Sequence, residues 1–169
     1  MMIRALGQAD AAAYRALRVR ALRDHPEAFG RTPDEIESAE ALAERFARAS
    51  AELDFVLGAF GGDVLVGMIG CHREPLVKHR HTAHIWGVYV ASERRGTGLG
   101  RQLLDACLAR AREWPDLDSV WLDVTTTNRE ARALYVSRGF KSVAIKPRTL
   151  KLGERYHDEE LMALSLTGA

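Results

Sequence analysis

An extended run ending in Val88-Tyr89-Val90 passes through Ala91-Ser92-Glu93-Arg94-Arg95 into three glycines at alternate positions, Gly96, Gly98 and Gly100, and then into a helical pattern. Few local structures accommodate a strand, a glycine turn and a helix in so short a stretch. Free amides at the start of a helix attract an anion, and glycines let a phosphate approach the backbone closely. The spacing is not that of a nucleotide-hydrolysing loop, because no Gly-Lys followed by Ser or Thr is present. Nor is it G-x-G-x-x-G, because the third glycine comes one residue early. The alternative is a glycine turn that only packs a helix against a sheet.

The flanking sequence alternates helical and extended patterns. Tyr14, Leu17 and Ala21 recur at helical spacing behind Asp10, a residue suited to capping, and that helix is expected to end near His25-Pro26. Thr32-Pro33-Asp34-Glu35 combines a cap, a proline at the first helical position and a capping-box glutamate. It predicts a helix running to about Ala49, bent or broken near Ser38. Phe55 to Phe60 and Val64 to Cys71 are apolar runs joined by Gly61-Gly62-Asp63, the chemistry of a hairpin turn. Ala83 to Val90 is a third extended run. Leu99, Leu103, Leu104, Cys107, Leu108 and Ala111 mark one face of a long helix. Ser119 to Thr125 is a strand with Val120, Leu122 and Val124 on one face, and Asn128 to Arg138 is a short helix closed by Gly139. Phe140 to Ile145 and Leu161 to Leu166 are expected as the last strands. This order predicts a mixed sheet covered by helices.

Composition narrows the functions open to such a fold. The chain has 169 residues, which suits a single domain spanning 1–169. With 24 Lys+Arg against 23 Asp+Glu the net charge is +1, too little basic excess for a dedicated nucleic-acid binder. No apolar stretch reaches the length of a membrane span, and Met1 to Asp10 lacks the pattern of a secretory signal, so a soluble cytoplasmic protein is expected. Cys71 and Cys107 form no CxxC pair, which argues against a disulfide framework or a zinc site. His72, His79 and His81 gather around the third extended run without the spacing of a ligand motif, and no metal is expected.

Two constellations together identify a family. Arg95-x-x-Gly98-x-Gly100 is followed, after the next strand, by Asn128-x-x-Ala131-x-x-Leu134-Tyr135-x-x-x-Gly139-Phe140. The pair strongly resembles the GNAT superfamily of N-acetyltransferases, whose element order fits from about residue 3 to residue 166. The resemblance implies an α/β (α+β) fold: a mixed, mostly antiparallel sheet, helices on both faces, and a parallel strand pair that splays apart. It also implies acetyl-coenzyme A as co-substrate, a primary amine as acceptor (small molecule or peptide amine) and direct attack in a ternary complex. Nucleic acid and membrane are not expected as partners, and homodimerisation is left open.

By that resemblance, the pantetheine arm would lie between Ala83–Val90 and Ser119–Thr125, with backbone groups of Tyr89 and Val90 bonding its amides. The amides of Arg95, Gly96, Thr97, Gly98, Leu99, Gly100 and Arg101 would surround the pyrophosphate, and the side chains of Arg94 and Arg101 could add charge or simply be solvated. Asn128 matches the family's pantetheine-contacting asparagine; a plain helix cap is its other reading. Tyr135 matches the tyrosine that protonates the departing thiolate, and a phenol with an ordinary pKa of about 10 is protonated at pH 7, as an acid must be. Many members carry a glutamate as general base near position 84. This chain has His84, whose neutral imidazole could take the amine proton directly or through water, or which is a buried structural histidine.

The acceptor would lie between the first helical pair and the final hairpin, near Phe29-Gly30-Arg31 and Lys146 to Asp158, with Arg148, Tyr156 and His157. Asp158-Glu159-Glu160 reads as a solvated acidic turn rather than an amine site. The competing function is a non-catalytic acyl-coenzyme A sensor. Keeping both Asn128 and Tyr135 speaks against it, since a sensor needs no leaving-group acid.

Overall fold

The computed structural model describes residues 1–49 and 53–167. Its strands are β1 (Met2–Ala5), β2 (Asp54–Gly61), β3 (Val64–Arg73), β4 (Thr82–Val90), β5 (Ser119–Thr125), β6 (Lys141–Leu152) and β7 (Arg155–Ser165). The helices are α1 (Ala11–Asp24), α2 (Ala39–Arg48), α3 (Leu99–Ala111) and α4 (Arg129–Val136). The strands form one sheet in the order β1-β2-β3-β4-β5-β7-β6, in which only β4 and β5 run parallel. This is the mixed, mostly antiparallel sheet that the sequence led us to expect.

Central strands β2 and β3 are apolar at nearly every position and buried along most of their length, because helices cover both faces. On β3 the alternate residues Gly67, Ile69 and Cys71 face α3, where Leu103 and Cys107 meet them. The intervening Met68, Gly70 and His72 face the other layer, where the Tyr14 and Phe46 rings hold α1 and α2 together edge-on, 5.3 Å apart. All six residues read as the apolar face of the long helix are buried, as are Val120, Leu122 and Val124. No helix among the described residues is long and apolar enough to cross a membrane.

Several local expectations are corrected. Asp10 does not cap α1: its carboxylate takes both arms of Arg4 at 2.7 Å and the Gly7 amide at 2.8 Å, fixing the entry to the helix instead. The capping box at Thr32 forms, but it closes only the short 3-10 turn Pro33–Glu35. The α-helix starts afresh at Ala39, under Ser38 Oγ, which accepts from the Ala41 amide. β1, unread in the sequence, adds an edge strand beside β2. The last two strands run much longer than expected and form a hairpin that turns at Gly153, so Lys146 to Asp158 is mostly strand rather than loop. Asp158-Glu159-Glu160 lies on β7 and is no solvated turn. Glu160 is 3% exposed and takes Arg132 through both carboxylate oxygens, at 2.6 and 3.2 Å.

Candidate active site

The site is made by a failure of pairing. β4 and β5 keep a parallel register only at Thr82↔Ser119, Ala83↔Val120 and His84↔Trp121. Beyond His84, β4 carries an extra residue against β3: Met68 pairs with Tyr89 and Gly70 with Trp86, leaving Gly87 and Val88 opposite Ile69. Such a bulge bends a strand and sharpens its twist. Gly87 takes the turn at φ +64°, a conformation glycine adopts without strain. β5 meanwhile stays on β7 through Thr125. The two strands part, and between them opens a cleft of about 690 Å³ whose walls include Ile85 to Val90, Leu122 to Thr125, Asn128 and Tyr135.

One end of the cleft is closed by the glycine turn. Gly96 and Gly98 sit at φ +72° and +80°, and a Cβ at either would meet nothing within 4 Å: it would project into the open space above the turn. Gly98 is the residue before α3, so the Leu99, Gly100 and Arg101 amides lack helical partners. Among the described residues, the amides from Gly96 to Arg101 donate to no backbone acceptor. The Arg95 amide is different, bonding the Ser92 carbonyl at 3.3 Å. Six consecutive unpaired N–H groups at a helix start, with two positive-φ glycines among them, form a cradle suited to a pyrophosphate.

The turn is held by the end of α1. Arg20 grips Glu93 at 2.6 Å and Ser92 at 3.0 Å, and its hydrogen bond holds the Glu93 carboxyl down at about 2. Arg95 Nη2 lies 2.7 Å from His25 Nε2, while its Nε donates to the Val90 carbonyl at 3.1 Å. Tyr89 donates its hydroxyl to Asp24 at 2.7 Å; burial first, and then that bond, push its pKa up to about 12. None of the ties to α1 and His25 was foreseen in the sequence, because each joins residues about 65 to 73 positions apart.

The backbone groups of Val90 and Tyr89, expected along the pantetheine, point in opposite directions. The Ala91 amide donates to Val66, so by antiparallel alternation the N–H and carbonyl of Val90 face the cleft, while those of Tyr89 turn toward β3. At Asn128 the cap is formed. Its Oδ1 accepts from the Ala131 amide at 3.2 Å, capping α4, and its amide NH₂ remains for a ligand carbonyl. Tyr135 lines the cleft from α4, its ring beside Phe140, centroids 5.9 Å apart. Burial, with a smaller contribution from Cys107, raises its pKa well above the ordinary phenol value, so it is protonated at neutral pH. Arg94 and Arg101 both line the cleft and both are exposed, Arg101 with its Nε 3.9 Å from Asp105.

His84 stands apart from this group. It lies at the last paired position before the strands separate and is not in the cleft lining, which begins at Ile85 and Trp86. Its ring stacks on His72 with centroids 5.4 Å apart, and its Nε2 is 3.5 Å from Glu74 Oε1. Burial and the His72 neighbour lower its pKa, outweighing Glu74 and Asp123, so the imidazole is neutral at pH 7. The cleft lining also includes Glu27, Ala28, Phe29, Trp86 and Asp123, with His25 beside Arg95 of the turn. Asp123, unremarked in the sequence, is paired with Lys146 at 2.7 Å. A Cβ on Gly30 would touch Leu150 at 3.9 Å, so the loop after α1 and the final hairpin do meet. Arg148 lies 3.8 Å over the Tyr156 ring in that hairpin. His157 Nε2 is buried without a partner among the described residues. No group of three or more His, Cys, Asp or Glu among the described residues is placed to hold a metal ion.

Comparison with known proteins accords with this geometry. A protein of Streptococcus pneumoniae whose crystal structure is that of a GNAT-family acetyltransferase superposes with TM-score 0.89 at 22% identity, covering 98% of this chain and 99% of that one. The protein yncA of Salmonella typhimurium, solved with acetyl-CoA as its cofactor, superposes with TM-score 0.87 at 24% identity, covering 100% of this chain and 95% of that one. At such identities these likenesses establish the fold. In sequence, the L-2,4-diaminobutyric acid acetyltransferase of Shouchella clausii is 34% identical over 82 residues, which is 48% of this chain and 44% of that protein. The chain spans less than half the length of the curated relatives it matches, 24%, 44% and 41% of three of them. The family model for the acetyltransferase (GNAT) family matches residues 16–140, from α1 through the glycine turn to the end of α4 and Phe140. That stretch contains the bulge, the cradle and the buried tyrosine, and on this match the chain belongs to the acetyltransferase (GNAT) family.

Proposed function

We propose that the chain is an acetyl-coenzyme A-dependent N-acetyltransferase acting on a primary amine by direct attack in a ternary complex. The observation that carries this reading is the convergence, in one cleft between parted parallel strands, of six unpaired turn amides, the free NH₂ of Asn128 and the buried hydroxyl of Tyr135. The amides of Gly96 to Arg101 hold the pyrophosphate, and the outward N–H of Val90 with the Asn128 NH₂ holds the pantetheine amides. Acetyl-coenzyme A supplies the activated thioester. The cleft aligns the acceptor nitrogen with the thioester carbonyl carbon, an entropic advantage over encounter in solution, and amides of the freed β4 edge stabilise the developing oxyanion. As the carbon–sulfur bond breaks, Tyr135 gives its proton to the departing thiolate. The proton lost by the amine passes through water to His84, whose neutral imidazole at pH 7 suits it to accept one.

The decisive experiment is thiol release from acetyl-coenzyme A across a panel of amines: free amino acids, 2,4-diaminobutyrate among them, polyamines, aminoglycosides and peptide N-termini. Release above the rate without amine, with acetylated product seen by mass spectrometry, supports the transferase. Tight coenzyme A binding without release for any amine would support a sensor. We place the protein in the cytoplasm, where acetyl-coenzyme A is available, and cell fractionation tests this. A homodimer has one physical support, the long edge strand β6 with Val143 and Ile145 exposed, and sedimentation velocity tests it.

A further inference from the structure

Two arginines of the described chain are buried, and the fold treats them differently. Arg73, 9% exposed, donates through Nε to the carbonyl of Arg80 and through Nη2 to that of Pro115. Arg18, 7% exposed on α1, finds nothing of the kind. Its Nη1 is shut off from solvent and has no hydrogen-bond acceptor among the described residues. Among the described residues no carboxylate balances it: its charged neighbours are Arg31 and Arg45, of its own sign, and Arg45 is already paired with Glu37 at 2.7 Å. Burial, the largest influence, lowers its pKa, yet a guanidinium stays charged throughout the physiological range. A buried cation without a counter-ion is among the costlier arrangements a fold can keep.

Its position says what the counter-ion is for. The guanidinium carbon lies 4.7 Å over the Phe29 ring, and a Cβ on Gly87 would stand 3.2 Å from Nη1. Phe29, Gly87 and Trp86 all line the cleft, and Arg18 lies directly behind them rather than in the lining itself. The unmatched charge therefore sits immediately behind the cleft wall at the bulge, where β4 turns away from β5. Arg31, which has no ion pair among the described residues, is the cation nearest in sequence to this wall.

We propose that Arg18 is the receptor for a carboxylate carried by the acetyl acceptor, with Arg31 assisting, so that the acceptor is a small amino acid or a similar amine bearing an acid. This rests on the transferase reading above. One buried guanidinium matches one negative charge in a planar fork, which favours a carboxylate over a phosphate dianion. The carboxylate supplies the charge that the fold leaves out, and the same contact sets the amine at a fixed distance from the thioester.

The test compares each common L-amino acid with its primary amide, on the full chain, by two readouts: the thermal shift in the presence of coenzyme A, and thiol release from acetyl-coenzyme A. The expected result is that some acids raise Tm and are acetylated with kcat/KM roughly 100-fold or more above their amides, the scale on which a site built around a buried polar group rejects a ligand lacking its partner. Arg18→Met is expected to raise the ligand-free Tm, since an unpaired buried charge is gone, while losing the acid-induced shift and the acid-over-amide preference. Arg18→Lys, which keeps a charge but not the fork, should retain part of both, and it serves as the test if Arg18→Met does not fold. Amides that bind and react as well as the acids would overturn the proposal, as would a folded Arg18 variant that keeps the full preference. Acids that raise Tm without any thiol release would support the carboxylate site and overturn the transferase reading, so the two fail separately.

Discussion

The two ends of the cleft are built from different material. Toward the glycine turn the walls are backbone: unpaired amides, positive-φ glycines and the bared edge of β4 after its bulge. Toward the loop after α1 they are side chains, Phe29, Trp86 and Asp123, with the buried Arg18 lying behind that wall at Gly87. A backbone site can serve one invariant ligand in chains of very different sequence, because its donors are present whatever the side chains are. A side-chain site can be remade residue by residue. Retained coenzyme chemistry beside a variable acceptor is what such a division predicts.

The strongest way to break the comparison is Tyr135→Phe. It keeps the ring against Phe140 and deletes the one side-chain proton donor assigned at the backbone end, so turnover should fall by about 10²–10⁴ while coenzyme A affinity measured by calorimetry stays near wild type. Turnover close to wild type would show that the thiolate leaves unaided. Next in size is Gly98→Val. At φ +80° a β-branched residue costs about 1–2 kcal/mol in strain, and its side chain enters the space assigned to the pyrophosphate, so affinity should drop by roughly ten- to a hundredfold. Gly100→Ala is the control: its Cβ would meet Leu134 at an ordinary 3.5 Å, and the fold should lose no stability. Unchanged affinity in a folded Gly98→Val protein would remove the phosphate assignment.

His84 sharpens the comparison through pH. Because it acts through water, His84→Ala should cost about tenfold in turnover, less than the 10²–10⁴ of a base in contact, and should abolish the rise of activity through an apparent pKa below the usual 6.5, while His84→Glu should restore part of the loss. Its effect on stability has a definite sign. The folded chain holds this histidine neutral more readily than the unfolded chain does, so its contribution is complete above the unfolded value near 6.5 and is lost as pH falls through the lowered folded value. Melting curves of wild type and His84→Ala should therefore converge as the pH falls below that range. An unchanged rate profile in folded His84→Ala would move the base elsewhere. The smallest expected effect separates the two duties of Asn128. Asn128→Asp keeps the capping oxygen and removes the NH₂ donors, so stability should hold while coenzyme A affinity falls several-fold, the scale of one hydrogen bond. Asn128→Ala should lose both, with about 1 kcal/mol of stability going with the cap. Equal affinities in all three would leave Asn128 a cap alone.

What the sequence disclosed follows the same division. The turn, the long helix and the buried face of β5 were legible because glycine and apolar periodicity are local signals. The helical turn at Thr32 and the break near Ser38 were both legible, because a capping box and a second cap are local signals; here the first turn lasts only from Pro33 to Glu35 before Ser38 begins again. β6 was cut short because Pro147 and its charged neighbours suppress a strand reading. An edge strand tolerates both, and the register simply breaks between Lys146 and Leu150, with Arg148 at φ 56°. The acidic run at Asp158 looked solvated because Arg132, the partner of Glu160, is 28 residues away. Arg18 gave no signal at all: on a helix with arginines at 15, 20 and 23, nothing local marks the one that is buried.

Helix α1 holds the glycine turn through Arg20 and Asp24, while its Arg18 abuts the acceptor wall one turn away. A single rigid rod thus touches both regions, and thermodynamic linkage then constrains how ligands bind at the two. If a filled coenzyme cradle steadies the rod and tightens the acceptor by some factor, a filled acceptor site must tighten the coenzyme by the same factor. An empty turn would leave the rod less anchored and the acceptor poorly held, and an empty acceptor site would weaken the hold on the coenzyme by the same factor. Loosening the rod at Arg20, far from any reacting atom, would then show itself as a lost coupling between the two affinities rather than a slower chemical step.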